Sequence, residues 1–150
     1  MNAALLVFGW GNRSRGDDAL GPLFVEQLAQ RWGERGDVDF LDDYQLVPEH
    51  ALDLVGRRAV LFVDACVEGT APFVGRAVVA RADADLASHA LTPAALLQVY
   101  RRVEGRDAPP ATLLAIHASS FDLGAAPRAD AMANLEAALD WGHAWLESHL

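Results

Sequence analysis

Short apolar runs, separated by segments of a different periodicity, are the feature of this sequence that most limits its fold. The runs are residues 3–8, 38–41, 59–63, 73–80 and 111–116. Runs of this length, ended by glycine or a charged residue, indicate buried strands. Between most of them, apolar residues recur at helical spacing: 20–31, a short segment that Pro48 opens, one that Thr92 and Pro93 open, and a long one that starts near Pro127. The alternation predicts an α/β fold, a three-layer αβα sandwich around a mostly parallel five-stranded sheet.

The run 73–80 differs from the others because no helical segment separates it from the run 59–63. Parallel neighbours need a long crossover, so this strand is predicted to be antiparallel and at an edge. We expect the order second, first, third and last strand, with 73–80 outermost. A chain of 150 residues suits one domain, which we place at 1–150.

Charge and composition exclude several classes of function. The net charge is −9 and lysine is absent, which disfavours nucleic acid as a partner and excludes lysine-dependent phosphate loops and Schiff bases. The single cysteine, Cys66, allows no internal disulfide. No apolar run is long enough to span a membrane, and no signal-peptide pattern opens the chain. We expect a cytoplasmic monomer that does not bind membranes.

Glycines and acids crowd the segment that follows the first strand. It runs from Gly9 to Gly21 and includes the adjacent acids Asp17 and Asp18. The spacing does not fit the dinucleotide fingerprint, which needs a glycine where Ser14 stands. Two readings of the acids stay open: helix-start carboxylates that the helix dipole favours, or ligands and catalytic groups.

Asp64 follows the strongest strand, so it is expected at the carboxyl edge of the sheet, where ligands of open α/β sheets bind. A turn cap is the plainer interpretation. His89 precedes a well-marked helix start, where an ordinary surface histidine would also fit. His117 ends the last strand and is expected to be packed and hydrogen-bonded, and Cys66 to be a small buried apolar residue. Carboxylates with an imidazole would suit a divalent first-row metal such as nickel or zinc.

Three segments resemble, in chain order, motifs of the hydrogenase maturation proteases. They are the loop from Gly9 to Gly21 with its two acids, the stretch Phe62-Val63-Asp64-Ala65, and Ser88-His89-x-Leu91-x-Pro93 with Leu96 and Leu97. A fourth, Phe121-Asp122-Leu123-Gly124, resembles a sequence of members that serve soluble, cofactor-reducing hydrogenases. The family pattern of glutamine and proline near the last strand is absent, and His117-Ala118 stands there.

The resemblance implies an endopeptidase that trims the C-terminal extension of a nickel–iron hydrogenase large-subunit precursor after nickel insertion. It makes Asp18, Asp64 and His89 the catalytic and metal-contacting set, with nickel supplied by the substrate, and leaves Asp17 to support the loop and the helix start. Whether nickel or a carboxylate drives hydrolysis stays open. Two alternatives remain: a divalent-metal-dependent, phosphatase-like hydrolase using Asp17, Asp18 and Asp64, or a non-catalytic metal- or partner-binding module.

Overall fold

The computed structural model describes residues 1–82 and 91–150. Its strands are β1 (Leu5–Trp10), β2 (Val38–Asp43), β3 (Ala59–Cys66), β4 (Phe73–Val78) and β5 (Ala111–His117). Its helices are α1 (Leu20–Trp32), α2 (Pro93–Glu104) and α3 (Ala129–Ser148), with short 3₁₀ helices at Gly16–Ala19 and Pro48–Leu54. The elements follow one another in the predicted sequence.

The strands form one sheet in the order β2-β1-β3-β5-β4, and only β4 is antiparallel to its neighbour. This confirms the predicted fold class, strand order and edge strand. The chain steps from β1 to β2 on one side and to β3 on the other, so the direction of winding reverses between β1 and β3. The crevice outside the carboxyl ends of these two strands is where ligands bind in such sheets.

Apolar side chains cover both faces of the sheet, because alternate residues of a strand point to opposite sides. One face packs against α1 and α3, with Leu61 and Val63 of β3 in that layer. The other packs against α2 and the second 3₁₀ helix, with Val60 and Phe62 in contact there. The three-layer architecture follows from this division. Among the described residues, no helix is long and apolar enough to cross a membrane.

Two elements differ from the sequence-based expectation. β3 continues to Cys66, so Asp64 lies inside the strand and not after it. The segment that begins at Pro48 is a 3₁₀ helix, and its Leu52 is exposed although we expected it on the packed side. The side chain of His50 determines the start of this segment, because its Nδ1 accepts a hydrogen bond from the N–H of Val47 at 3.0 Å.

Candidate active site at the carboxyl edge of the sheet

Glycines bring the start of α1 into backbone contact with the sheet. A Cβ atom on Gly21 would lie 2.5 Å from the carbonyl oxygen of Trp10 and 3.0 Å from that of Val63. A Cβ on Gly9 would lie 2.4 Å from the carbonyl oxygen of Gly21. Side chains at these positions would force the helix away. The glycines therefore place the beginning of α1 over the crevice between β1 and β3, and they serve packing and not a phosphate.

The loop after β1 holds Asp18 at this crevice. Gly11 has φ +148°, and a Cβ there would lie 1.9 Å from the carbonyl oxygen of Asp18, so only glycine allows this approach. Next to it, the N–H of Asn12 donates to Oδ2 of Asp18 at 2.7 Å. The carboxylate is thus oriented by its own loop, with its side chain partly accessible.

Asp64 approaches the same place from β3. Its Oδ1 accepts a hydrogen bond from the N–H of Ala65 at 2.8 Å. The pKa of Asp64 is raised to about 7, chiefly by burial and also by the negative charge of Asp18, whereas the hydrogen bonds from the N–H of Ala65 and the Trp10 side chain lower it. Asp18 and Asp64 therefore interact electrostatically at the carboxyl edge of the sheet.

Two interacting carboxylates, one of them reluctant to ionise, suit a divalent cation, because a positive charge between them offsets both the desolvation and the repulsion. In the described part of the chain, no group of three histidine, cysteine or acidic side chains could hold a metal by itself. The third predicted ligand, His89, lies outside the described residues. The acids Asp18 and Asp64 thus offer an incomplete set of oxygen ligands.

Asp17 has a different environment from its neighbour. It is fully buried, and its carboxylate accepts the N–H groups of Ser119, Ser120 and Arg128 at 2.9, 3.1 and 2.7 Å. Burial acts to raise the pKa of Asp17, but these donors outweigh it and hold the pKa below its ordinary value. Asp17 does lie in the first turn of the 3₁₀ helix Gly16–Ala19, as the helix-start interpretation expects. Its carboxylate does not cap that helix, however, because its hydrogen-bond partners lie after β5, and it therefore also supports the loop.

The segment after β5 is tied to the loop after β1 by backbone contacts as well. The N–H of Asp17 donates to Ser120 at 2.8 Å, and the N–H of Gly16 donates to Ala125 at 3.0 Å. The segment includes residues 121–124, whose resemblance to a family sequence was noted above. The segment after β5 therefore stabilises the loop that carries Asp18.

His117 and Cys66 lie opposite each other in the register of β5 and β3, beyond Asp64. Nδ1 of His117 is buried and has no hydrogen-bond partner in residues 1–82 and 91–150, so the expected hydrogen-bonded histidine is not found at this atom. Cys66 is half-buried and not part of the core. Both line a cleft of about 400 Å³ on the face of the sheet that also packs against α2.

The phosphatase-like alternative loses two of its required groups. Asp17 is committed to backbone donors, so it cannot join Asp18 and Asp64 as a ligand. Of the two loop arginines that could clamp a phosphate, Arg13 and Arg15, the first pairs with Glu26 at 3.1 Å and with Asp42 at 2.6 Å, which leaves Arg15 alone for that role. Neither the acids nor this arginine favours that reading.

Solved structures of an endopeptidase and of hydrogenase maturation proteases share the fold. An endopeptidase from Escherichia coli is 25% identical, with TM-score 0.75 and coverage of 99% of this chain and 93% of its own. The [NiFe] hydrogenase maturation protease HycI from Thermococcus kodakarensis KOD1 is 21% identical, with TM-score 0.75 and coverage of 97% and 93%. The hydrogenase maturating endopeptidase HybD from E. coli is 22% identical, with TM-score 0.70 and coverage of 99% and 93%.

No protein-family model matches the chain, and no curated protein matches its sequence. The resemblance stated from the motifs is therefore confirmed through structure, at the level of the fold and over nearly the whole of each chain.

Proposed function

We propose that this chain, which has the fold of the hydrogenase maturation proteases, is a hydrolase: an endopeptidase that removes the C-terminal extension of a nickel–iron hydrogenase large-subunit precursor. The observation that carries the proposal is the interaction of Asp18 with Asp64 at the carboxyl edge of the sheet. The motif resemblance names these two acids, and the strand order, which brings the ends of β1 and β3 together, supports their assignment to one site. The partner is the folded precursor, and the reaction takes place in the cytoplasm on a monomeric enzyme.

Nickel is part of the substrate in this proposal and arrives held by the substrate's cysteine thiolates. Asp18, Asp64 and His89 complete its coordination, so that a precursor without nickel is not engaged. The raised pKa of Asp64 supports this role, because the carboxylate pair is electrostatically unfavourable until a cation approaches it. The three proposed ligands include no thiolate, so the free protein is expected to hold metal from solution poorly.

The residues of the chain contribute positioning and proton transfer. The Asn12 N–H holds Asp18 in place, and contact through both acids would orient the scissile peptide. The pKa of about 7 describes Asp64 without a cation, and an approaching cation would favour its ionised form. The substrate's nickel, when bound, would supply Lewis-acid polarisation of the scissile carbonyl. The alternative driving group is a carboxylate of the pair that acts as a general base toward water.

The test is to mix the purified protein with nickel-loaded and nickel-free large-subunit precursors and to compare masses. We expect one cut near the C-terminus of the nickel-loaded form only, and no cut in an unstructured peptide with the same sequence. Equal cleavage of both precursors would show an ordinary peptidase that uses the same acids. No cleavage of any precursor would overturn the proposal.

The non-catalytic alternative has a distinct signature in cells. A strain that lacks the protein would accumulate the uncleaved large subunit. If Asp18→Asn and Asp64→Asn variants restored processing in that strain, the protein would be a binding module and not the peptidase. We expect neither variant to restore it.

A further inference from the structure

The cleft beside the acidic pair is built from the face of the sheet that also packs against α2. Side chains at positions two apart in a strand share a face. Val60 and Phe62 pack in the α2 layer, so Asp64 and Cys66 point to the same side. In β5, Ala111 and Leu113 also pack in the α2 layer, so Ala115 and His117 point to that side. In β4, Val78 packs there, so Val74 and Arg76 point to that side as well. The cleft therefore extends from the site across three strands.

Asp64 lies beside this cleft, because it is opposite Ala115, one of the lining residues, in the register of β3 and β5. It is two residues before Cys66 on the same face of β3, which corresponds to about 6–7 Å along the strand. A peptide whose scissile bond lies at the acids would continue into the cleft after two or three residues, at about 3.3 Å per residue. The cleft is thus within reach of the segment next to the cleaved bond.

The cleft presents unused hydrogen-bonding groups and exposed apolar surface. Arg76 is exposed and forms no ion pair or hydrogen bond within the described residues. Nδ1 of His117 is buried without a partner in the same part of the chain. Val74, which is 51% exposed, and Ala115 provide apolar walls, and Glu68 contributes one negative group at the rim.

The unpaired guanidinium of Arg76 brings a positive charge to the cleft in a protein of net charge −9. Arg13, in the loop after β1, is neutralised by two acids. Guanidinium groups bind carboxylates through paired N–H donors, and an imidazole can hydrogen-bond a peptide group. The charge, the orphaned nitrogen and the apolar walls are complementary to an extended peptide that carries a carboxylate.

We propose that this cleft is a substrate subsite that binds the peptide segment next to the scissile bond in extended form, with Arg76 pairing to a carboxylate of that segment and His117 contacting its backbone. The proposal rests on the proposed function for its substrate. The carboxylate is either an acidic side chain or the chain terminus of the extension, and the two sources share one chemistry. Arg76 and His117 are binding residues here and take no part in bond cleavage.

Peptide binding tests the subsite without any cleavage. The probes are N-acetyl-Ala-Ala-Val-Ala with a free C-terminus, the same peptide as its amide, and N-acetyl-Ala-Glu-Val-Ala amide, titrated into isotope-labelled protein. We expect NMR shifts at residues 66–76 and 115–117. Binding of the free acid alone identifies a terminal carboxylate, and binding of the glutamate amide identifies a side chain. No shift in the cleft with any acidic probe overturns the proposal.

Variants then assign the contacts. Arg76→Gln should weaken binding of the acidic probes about tenfold, whereas Arg102→Gln, an exposed arginine of α2 outside the cleft, should leave it unchanged. His117→Leu should weaken binding without lowering the unfolding midpoint, because the buried Nδ1 has no partner to lose. His117→Asn should restore part of the affinity. Equal binding by the wild type and Arg76→Gln overturns the assignment.

The processing assay separates this inference from the proposed function. With the nickel-loaded precursor, Arg76→Gln should raise KM about tenfold and leave kcat within about twofold. If the wild type cleaves and this variant has an unchanged KM, the subsite is wrong and the endopeptidase stands. If the wild type cleaves no precursor but the acidic probes bind the cleft, the endopeptidase is wrong and the peptide-binding cleft stands.

Discussion

Asp17 and Asp18 are adjacent in the chain but have opposite surroundings: Asp17 is fully buried against backbone N–H groups, and Asp18 faces the carboxylate of Asp64. The first acid ties the loop after β1 to the segment after β5. The second acid is offered to a ligand. Asp17 therefore holds the loop that positions Asp18. Substitution of Asp17 should lower stability, whereas substitution of Asp18 should lower activity.

Asp17→Ala is expected to destabilise the fold. It leaves three backbone N–H groups without an acceptor, at a cost of about 3–5 kcal/mol in the free energy of unfolding. Urea unfolding at pH 7 measures this. Asp130→Ala, an exposed acid in the first turn of α3, is the control and should change the free energy by less than about 1 kcal/mol.

The pH dependence of the free energy of unfolding provides a second test of the role of Asp17. Its pKa is lower in the folded than in the unfolded protein, so it stabilises the fold above the unfolded value. This stabilisation is lost as the pH falls below about 4, through the lower folded pKa. The wild type should therefore approach Asp17→Ala in stability in acid; a constant difference at every pH would contradict the charged role.

Asp18→Ala and His89→Ala are expected to abolish processing of the nickel-loaded precursor with stability changes within about 1 kcal/mol. Both residues are assigned to contact with the substrate's nickel. Mass analysis of the precursor and urea unfolding of each variant provide the two measurements. If Asp17→Ala, assayed at a temperature where it is folded, were inactive and Asp18→Ala active, the assignment of the two acids would be reversed.

Asp64→Asn is expected to abolish processing and to stabilise the free protein at pH 8. The folded pKa of about 7 lies above the unfolded value of 3.8, so stability falls as the pH rises between them. Removing the charge should add about 1–3 kcal/mol, less than the shift alone would give because the side chain keeps some contact with water. The two proteins should converge near pH 4. A variant less stable than wild type at pH 8 would contradict the raised pKa.

Gly21→Ala is expected to impair processing, because its methyl group would push α1 from the carbonyl of Trp10 and move Asp18. Gly142→Ala in α3 is the matched control: its Cβ would lie 2.5 Å from the ring of Phe24, away from the site. Both should cost about 1–3 kcal/mol in stability. Processing should fall at least tenfold in the first variant and stay within about twofold in the second.

The sequence predicted the sheet because apolar run length and helical spacing are local properties. The antiparallel edge strand followed from the missing crossover before β4, and the place of Asp64 at the carboxyl edge followed from its position at the end of an apolar run. The separate tasks of Asp17 and Asp18 were less accessible, because the donors to Asp17 lie 102 to 111 residues further along the chain. No local pattern carries that information.

The environment of His117 also could not be predicted from the sequence. A histidine at the end of a strand is usually satisfied, and the absence of a partner for Nδ1 depends on what β3 and β4 place beside it. The exposure of Leu52 has a similar origin, since a 3₁₀ helix repeats every three residues and turns a different set of side chains to the core than an α-helix would.

The backbone contact between Gly9, Gly21 and the carbonyl of Trp10 sets the distance between the sheet and the start of α1. Where side chains separate two elements, the spacing changes when one residue replaces another. Where two backbones are in direct contact, no side chain lies between them that a substitution could change. The distance from the sheet to the start of α1 is therefore independent of which apolar residues fill the layers below. Apolar residues of the core can therefore be substituted during evolution without changing the position of Asp18 relative to the sheet.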